Sequence, residues 1–446
     1  MKLLSSILST VVLAPVARSL PEDAFPQQPL SEQTTGLANT ISSQRDLEKV
    51  IDASPLLSFH RDIVQIESIS GNEAAVGDYI VQFLQERRFA VTKQFLPREA
   101  DKGSDDAVTA ENGPQRFNIY AYPSWISEPK ILLTSHVDTV PPFLPYSLSL
   151  PDDANGNSSS SSTWRERIRI AGRGTVDAKA SVAAQVFAVL EHLEVDPMAP
   201  LGLLFVVGEE VSGEGMRWFA DSDLNPTPPR LHTVIFGEPT EHALVAGHKG
   251  SLSLTVRARG KAAHSGYPWL GKSAVSAILP ALARLDRLGD IPVDDGGLPG
   301  SKKLGKSTVN IGRMEGGVAG NVVPVSASAK LIVRLAHPDV ELARQRIEEA
   351  VRETTGGDPD VEVEWNLYGN APIEFDADVP GFNVTTVNYA TDAFYLRFPT
   401  GNVKRYLYGP GSIFVAHGAD EAITVGDLER AVEGYRRLIE AADRHA

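Results

Sequence analysis

A chain of 446 residues with 42% apolar and 22% charged residues has an ordinary globular composition and is long enough for two or three packed domains. Its net charge of −15, with no basic block to counter it, argues against nucleic acid and membrane surfaces as partners. Cysteine is absent, which excludes disulfides and thiolate metal sites, so any metal must be held by His, Asp and Glu.

Lys2 precedes an apolar segment, Leu3 to Val16, and Ala17-Arg18-Ser19 is a small-x-small cleavage site. Residues 1–19 therefore read as a secretory signal peptide, too short to span a bilayer, and a secreted protein is expected. Two sequons, at Asn157 and Asn383, are consistent with glycosylation on export. Residues 20–45 are rich in Pro, Gln, Ser and Thr and read as a flexible lead-in or propeptide.

Helical spacing follows over Leu56 to Val64 and Ala74 to Arg87, where Val76, Ile80, Phe83 and Leu84 share a face. Phe89 to Phe95, Phe117 to Tyr122 and Lys130 to Ser135 have strand character, the last ending at His136. Pro151 to Thr163 is a Ser/Asn/Gly loop. Ile168 to Ile170 is a short strand leading into Gly172 to Asp177, and Ser181 to Leu193 is a helix. Leu203 to Val207 is an apolar strand that ends in Gly208, Glu209 and Glu210, and Leu231 to Phe236 is another, ending in Gly237-Glu238. Strands alternating with helices predict a mainly parallel sheet covered on both faces.

The pattern changes near His248. Strand, helix, two strands, helix and strand follow: Ser251 to Arg259, Ala274 to Leu288, Ser307 to Met314, Ser326 to Leu335, Val340 to Glu353 and Val361 to Trp365. That order is ferredoxin-like and predicts a smaller α+β domain whose open sheet edge suits self-association. The expected organisation is a first domain over 46–248, the inserted domain over 249–367 and a return to the first over 368–446. In the return, Ile413 to Val415 is predicted as a strand delivering His417, and Asp427 to Asp443 as an amphipathic terminal helix.

Five segments thus place a metal-ligating residue at or just beyond a predicted strand end: His136 with Asp138, Asp177, Glu209 with Glu210, Glu238, and His417. Singly, each has an ordinary explanation, such as a charged turn, a helix cap or a core histidine. Together they gather ligands where open α/β sheets bind them, at the carboxyl edge.

The same stretches resemble the M20 metallopeptidases, a family of carboxypeptidases, deacetylases, desuccinylases and aminoacylases. They read SHVDTVP from Ser135, GRGTVDAK from Gly172, GEEVSGEG from Gly208, GEPT from Gly237 and AHGADEAI from Ala416. GKAAHSGYP from Gly260 and GGVAGNVVP from Gly316, in the inserted domain, match as well. The resemblance implies a catalytic domain of di-zinc exopeptidase type with an inserted lid or dimerisation domain. It implies two Zn²⁺ per subunit, one held by His136 and Glu238, the other by Glu210 and His417, with Asp177 bridging them. Asp138 would take the second imidazole proton of His136, and Glu209 would be the general base. His264 would stabilise the developing oxyanion, reaching the site from a partner subunit or on domain closure, and Asn321 and Arg334 would bind the substrate carboxylate. Where the family often has Asp two residues before that Arg, this chain has Ile332; Ala180 replaces a Gly that commonly follows the Lys of the bridging motif. The expected substrate is a peptide or an N-acyl amino acid with a free carboxylate. A secreted carboxypeptidase leads; an N-acyl amino acid deacylase and an inactive metal-bearing binding protein are the alternatives, and a homodimer through the lid is allowed.

Overall fold

The computed structural model describes residues 44–97, 115–150, 164–366, 369–398 and 402–444. The expected signal peptide, nearly all of the lead-in, the 151–163 loop and Asn157 lie outside the described residues.

Three helices come first: α1 (Gln44–Asp52), α2 (Pro55–Gln65) and α3 (Ala74–Glu86). The α2 start is set by Ser54, whose hydroxyl accepts from Leu57 N, and by Pro55, whose missing N–H costs nothing at the first helical position. Strands β1 (Phe89–Phe95), β2 (Phe117–Pro123), β3 (Ile131–His136), β4 (Ser147–Ser149) and β5 (Arg169–Ala171) precede α4 (Lys179–Val195). Then come β6 (Leu201–Val206), α5 (Glu214–Ala220), β7 (Thr233–Gly237) and β8 (Leu244–His248). The inserted unit is β9 (Gly250–Arg259), α6 (Ala274–Asp286), β10 (Thr308–Gly316), β11 (Ser326–Leu335), α7 (Val340–Thr354) and β12 (Val361–Trp365). β13 (Ile373–Glu374), β14 (Val384–Val387), β15 (Lys404–Tyr408), β16 (Ala422–Thr424) and α8 (Val425–Asp443) complete the chain.

The central sheet has six strands in the order β1-β2-β6-β3-β7-β15. β6, β3, β7 and β15 are parallel; β2 pairs antiparallel with β6, and β1 antiparallel with β2. Alternation along the strands sorts the core into two layers. Leu133, Leu203, Phe205 and Ile235 pack with residues of α2, α3, α4 and α8. Their neighbours Leu132, Leu204, Val206, Val234 and Phe236 pack with Met216 and Phe219 of α5 and with Phe375. Because both faces are covered, these strands are continuous apolar runs, and each fully buried Leu or Phe contributes roughly 1.5–3 kcal/mol. The inserted unit has its own core and a four-stranded antiparallel sheet, order β10-β11-β9-β12, which is the ferredoxin-like arrangement. A single residue, Lys249, separates β8 from β9.

Three expectations change. Ile413 to Val415 is a turn; the strand is β15, and His417 lies nine residues beyond its end. Phe414 is 87% exposed, so that short apolar run has no sheet to join. Asp177 follows β5, which belongs to a small sheet with β4 and β16, not to the central one. A helix, α1, also begins within the final residues assigned to the lead-in. Among the described residues no helix is long and apolar enough to cross a membrane.

Helix and sheet approach closely at Gly434 of α8, where a Cβ would fall inside the Tyr408 phenol of β15. Gly434→Ala is expected to destabilise the fold by about 1–3 kcal/mol through overpacking, although alanine is the better helix former. A lowered urea midpoint with unchanged slope checks this; an unchanged midpoint would mean that α8 can shift freely.

Candidate metal centre

The centre is assembled from five chain segments. His136 is the last residue of β3, and its ring is buried. Its Nδ1 lies 3.0 Å from the Asp138 carbonyl oxygen and 3.5 Å from the Asp138 carboxylate. A carbonyl only accepts, so Nδ1 carries the proton and the Nε2 lone pair points into the site. The Asp138 carboxylate is otherwise occupied: it accepts from the backbone N–H groups of Glu209 (3.1 Å) and Glu210 (3.2 Å) and from Ser70 Oγ (2.7 Å). The backbone oxygen is thus the nearer tautomer-fixing partner of His136, and the carboxylate chiefly locks the turn after β6. That turn is made by Gly208, whose φ of 74° favours glycine.

Asp177 occupies the middle. Its Oδ1 is 3.0 Å from His136 Nε2 and its Oδ2 is 3.3 Å from His417 Nε2, so one carboxylate spans two imidazoles. Glu210 lies beside His417, at 3.1 Å, and Glu238, just past β7, lies 3.9 Å from His136 Nε2. His417 itself has φ of 63°, a left-handed conformation rare for a residue with a Cβ and found preferentially at functional turns.

The electrostatics are those of a site built for cations. Among the described residues, no Lys or Arg forms an ion pair with Asp177, Glu210 or Glu238. Burial, reinforced by neighbouring carboxylates, pushes Glu209 and Glu238 well above the usual carboxyl range. Burial also raises Asp177, but hydrogen bonds from both imidazoles outweigh it and hold its carboxyl low. Asp177 and Glu210 in turn push His417 up to about 10. The donors are imidazole nitrogens and carboxylate oxygens that converge, His136, Asp177 and Glu210 offering atoms within 4.8 Å of one another. That donor set fits zinc and similar divalent transition ions.

Of the remaining expected residues, Glu209 stays at the centre and the others lie in the inserted unit or on the surface. Glu209 lines a cleft with His136, Glu238, Thr391 and Asp392. Arg334, near the end of β11, is half-buried, and its desolvation lowers its pKa against the attraction of the Glu209 charge. It makes no hydrogen bond or ion pair with any described residue. Ile332, two residues earlier on the same face, is exposed, so no acid is supplied there. His264 and Asn321 are exposed in the inserted unit and adjacent to each other, Ser265 N donating to the Asn321 carbonyl at 3.0 Å. Among the described residues, no hydrogen bond joins them to the cluster around Asp177. Asn383 is exposed.

Three contributors escaped the sequence. Glu421 accepts from the backbone N–H groups of Val176 (3.0 Å) and Asp177 (3.2 Å) and pairs with Arg173 at 2.7 Å. Arg173 also donates to the carbonyls of His417 and Gly418. This buried pair clamps the Asp177 turn to the His417 turn, and breaking such a pair costs roughly 3–5 kcal/mol. Both residues stand inside quoted motifs, but nothing local links positions 173 and 421. Asp392 is buried with neither carboxylate oxygen hydrogen-bonded, and burial raises its pKa to about 7. No pattern around it marked it out.

Comparison with known proteins gives a consistent picture. A family model described as the peptidase dimerisation domain of the M20 proteins matches residues 246–359. A probable carboxypeptidase of Talaromyces marneffei is 59% identical over 99% of this chain and 99% of its own. Among solved structures, an M20 family metallo-carboxypeptidase from Sulfolobus solfataricus shares 17% identity with a TM-score of 0.60, over 88% of this chain and 100% of that one. A dinuclear metal binding M20 peptidase of Bacillus subtilis shares 13% with a TM-score of 0.55, over 90% and 100%.

Proposed function

The chain belongs to the M20 family and is a hydrolase of the metallo-exopeptidase class, and from that premise we propose that it is a secreted, di-zinc carboxypeptidase. The observation that carries the proposal is Asp177, each of whose oxygens faces the Nε2 of a different histidine. In this reading His136 and Glu238 hold one ion, Glu210 and His417 the second, and Asp177 both. Zinc bound there supplies Lewis acidity and lowers the pKa of water toward ~7. Glu209, free of ligand duty and raised by burial, takes the proton of the attacking water and returns it to the leaving amine.

Arg334 sets the polarity of the substrate. Among the described residues its guanidinium is paired with no carboxylate, and it lies within electrostatic reach of Glu209. A terminal carboxylate paired with it would bring the last peptide bond of a substrate toward the base, which is carboxypeptidase geometry. His264 and Asn321 are exposed and make no hydrogen bond with their own centre's ligands among the described residues, so we propose that they act from a partner subunit in a homodimer formed through the inserted unit, whose edge strand β10 is mostly exposed. Export rests on the 1–19 segment, with sugar on Asn383 and Asn157.

Peptides with a free C-terminus should be cleaved, their C-terminal amides at least about 10²-fold more slowly, since a half-buried cation left unpaired is costly. Chelator should abolish both activities and zinc restore them. Turnover of acetyl-amino acids with peptides left intact would transfer the assignment to a deacylase. Turnover of neither by zinc-loaded protein would leave a binding protein.

A further inference from the structure

A second group of ligating side chains lies far from Asp177, where α4 and α8 run side by side. We propose that His192, Asp196 and Asp443 form a third divalent-cation site, taking zinc or a similar transition ion and fastening the C-terminal helix to the body of the protein. One ring nitrogen of His192 and one carboxylate oxygen from each aspartate lie within 4.8 Å of one another. His192 is only 7% exposed, and its Nε2 is fully buried without any hydrogen-bond partner, which is rare for a buried polar atom.

The aspartates are placed against electrostatic expectation. Asp196 caps the end of α4, its N–H donating to the His192 carbonyl at 2.9 Å, and Asp443 is the last residue of α8. Both carboxylates therefore sit at negative helix ends, where anions are unfavourable. One Asp196 oxygen accepts from Met198 N at 3.0 Å; Asp443 makes no bond with any described residue. Neither aspartate is paired with Lys or Arg among the described residues. A divalent cation would answer the two charges, both helix ends and the orphaned imidazole together. An imidazole with two carboxylates suits zinc better than calcium or magnesium.

The site is separate from the catalytic one. Lys179, two residues past Asp177, begins α4, and His192 is about 20 Å further along at a rise of ~1.5 Å per residue. An ion there takes no part in hydrolysis. It would tie α8, whose Tyr435 hydroxyl donates to the Tyr408 carbonyl at 2.7 Å, to the helix that starts at the metal centre.

Calorimetric titration of zinc into the two-metal holoenzyme tests this. One further equivalent is expected in the micromolar range, and its affinity should fall at least tenfold in Asp443→Asn and in Asp196→Asn, with peptidase activity retained in both. At zinc ten times above its dissociation constant the unfolding midpoint should rise by about 1.5 °C in the parent and not in the variants. Absence of a third equivalent, or a third equivalent and midpoint shift that persist in both variants, would overturn the assignment. Because the readout is binding, it stands or falls apart from the substrate assignment.

Discussion

Glu209→Gln is expected to lower kcat by about 10³-fold while the metal content stays at two per chain. The argument is geometric before it is electrostatic. The turn after β6 is held by Asp138, which takes the N–H groups of Glu209 and Glu210 through its carboxylate. Those bonds use the backbone and survive the substitution. Glu210 keeps its place beside His417, so the ligand set is unchanged. What is lost is a carboxylate whose proton affinity is raised by burial and by Glu238 and Asp392. A general base works best when its pKa approaches the working pH, and an amide cannot accept the proton at all. KM should change little, because Glu209 holds no part of the substrate in the ground state. Retained turnover in a variant with full metal content would remove Glu209 from the reaction; loss of metal would move it among the ligands.

How much of this was legible depended on the range of the interaction. β3, β6 and β7 could be read because each is a buried apolar run stopped by a polar residue, and both faces of the sheet being covered erased any ambiguity of alternation. The inserted unit was legible for the opposite reason: half-exposed strands such as β11 alternate cleanly. β15 was missed because it opens with Lys404-Arg405, whose charged ends reach Asp376, Asp378 and the Glu374 carbonyl while their backbone pairs with β7. The three apolar residues Ile413 to Val415 then looked like the strand they are not. α5 has seven residues, too few for helical periodicity to show. The Arg173–Glu421 clamp and the approach of Arg334 to Glu209 join residues far apart in sequence, and no local spacing encodes them.

Asp177→Asn should have the largest effect of any single change, removing both metals rather than one. Two divalent ions bring four positive charges, and Asp177, Glu210 and Glu238 return three. Asparagine cancels one of those three and replaces an acceptor oxygen with an NH₂ donor, which is aimed either at His136 or at His417. The ring facing the NH₂ can no longer share a cation with position 177, and the other is left with a neutral amide oxygen, a far weaker ligand than a carboxylate. The fold should survive, because the turn is held by the backbone N–H groups of Val176 and Asp177 on Glu421 and not by the Asp177 side chain. The contrast is Glu238→Gln, which touches the His136 side alone and should leave the ion shared by Asp177, Glu210 and His417 in place. Metal analysis after extensive dialysis separates the two: fewer than one ion per chain for Asp177→Asn, near one for Glu238→Gln, both with native circular dichroism. Activity should fall by more than about 10⁴-fold in the first variant, the loss of base chemistry and of transition-state charge stabilisation combined. An Asp177→Asn protein that still held two ions would show that the carboxylate between the histidines is not what joins them, and the two-ion centre would have to be rebuilt around other residues, Asp392 first among them.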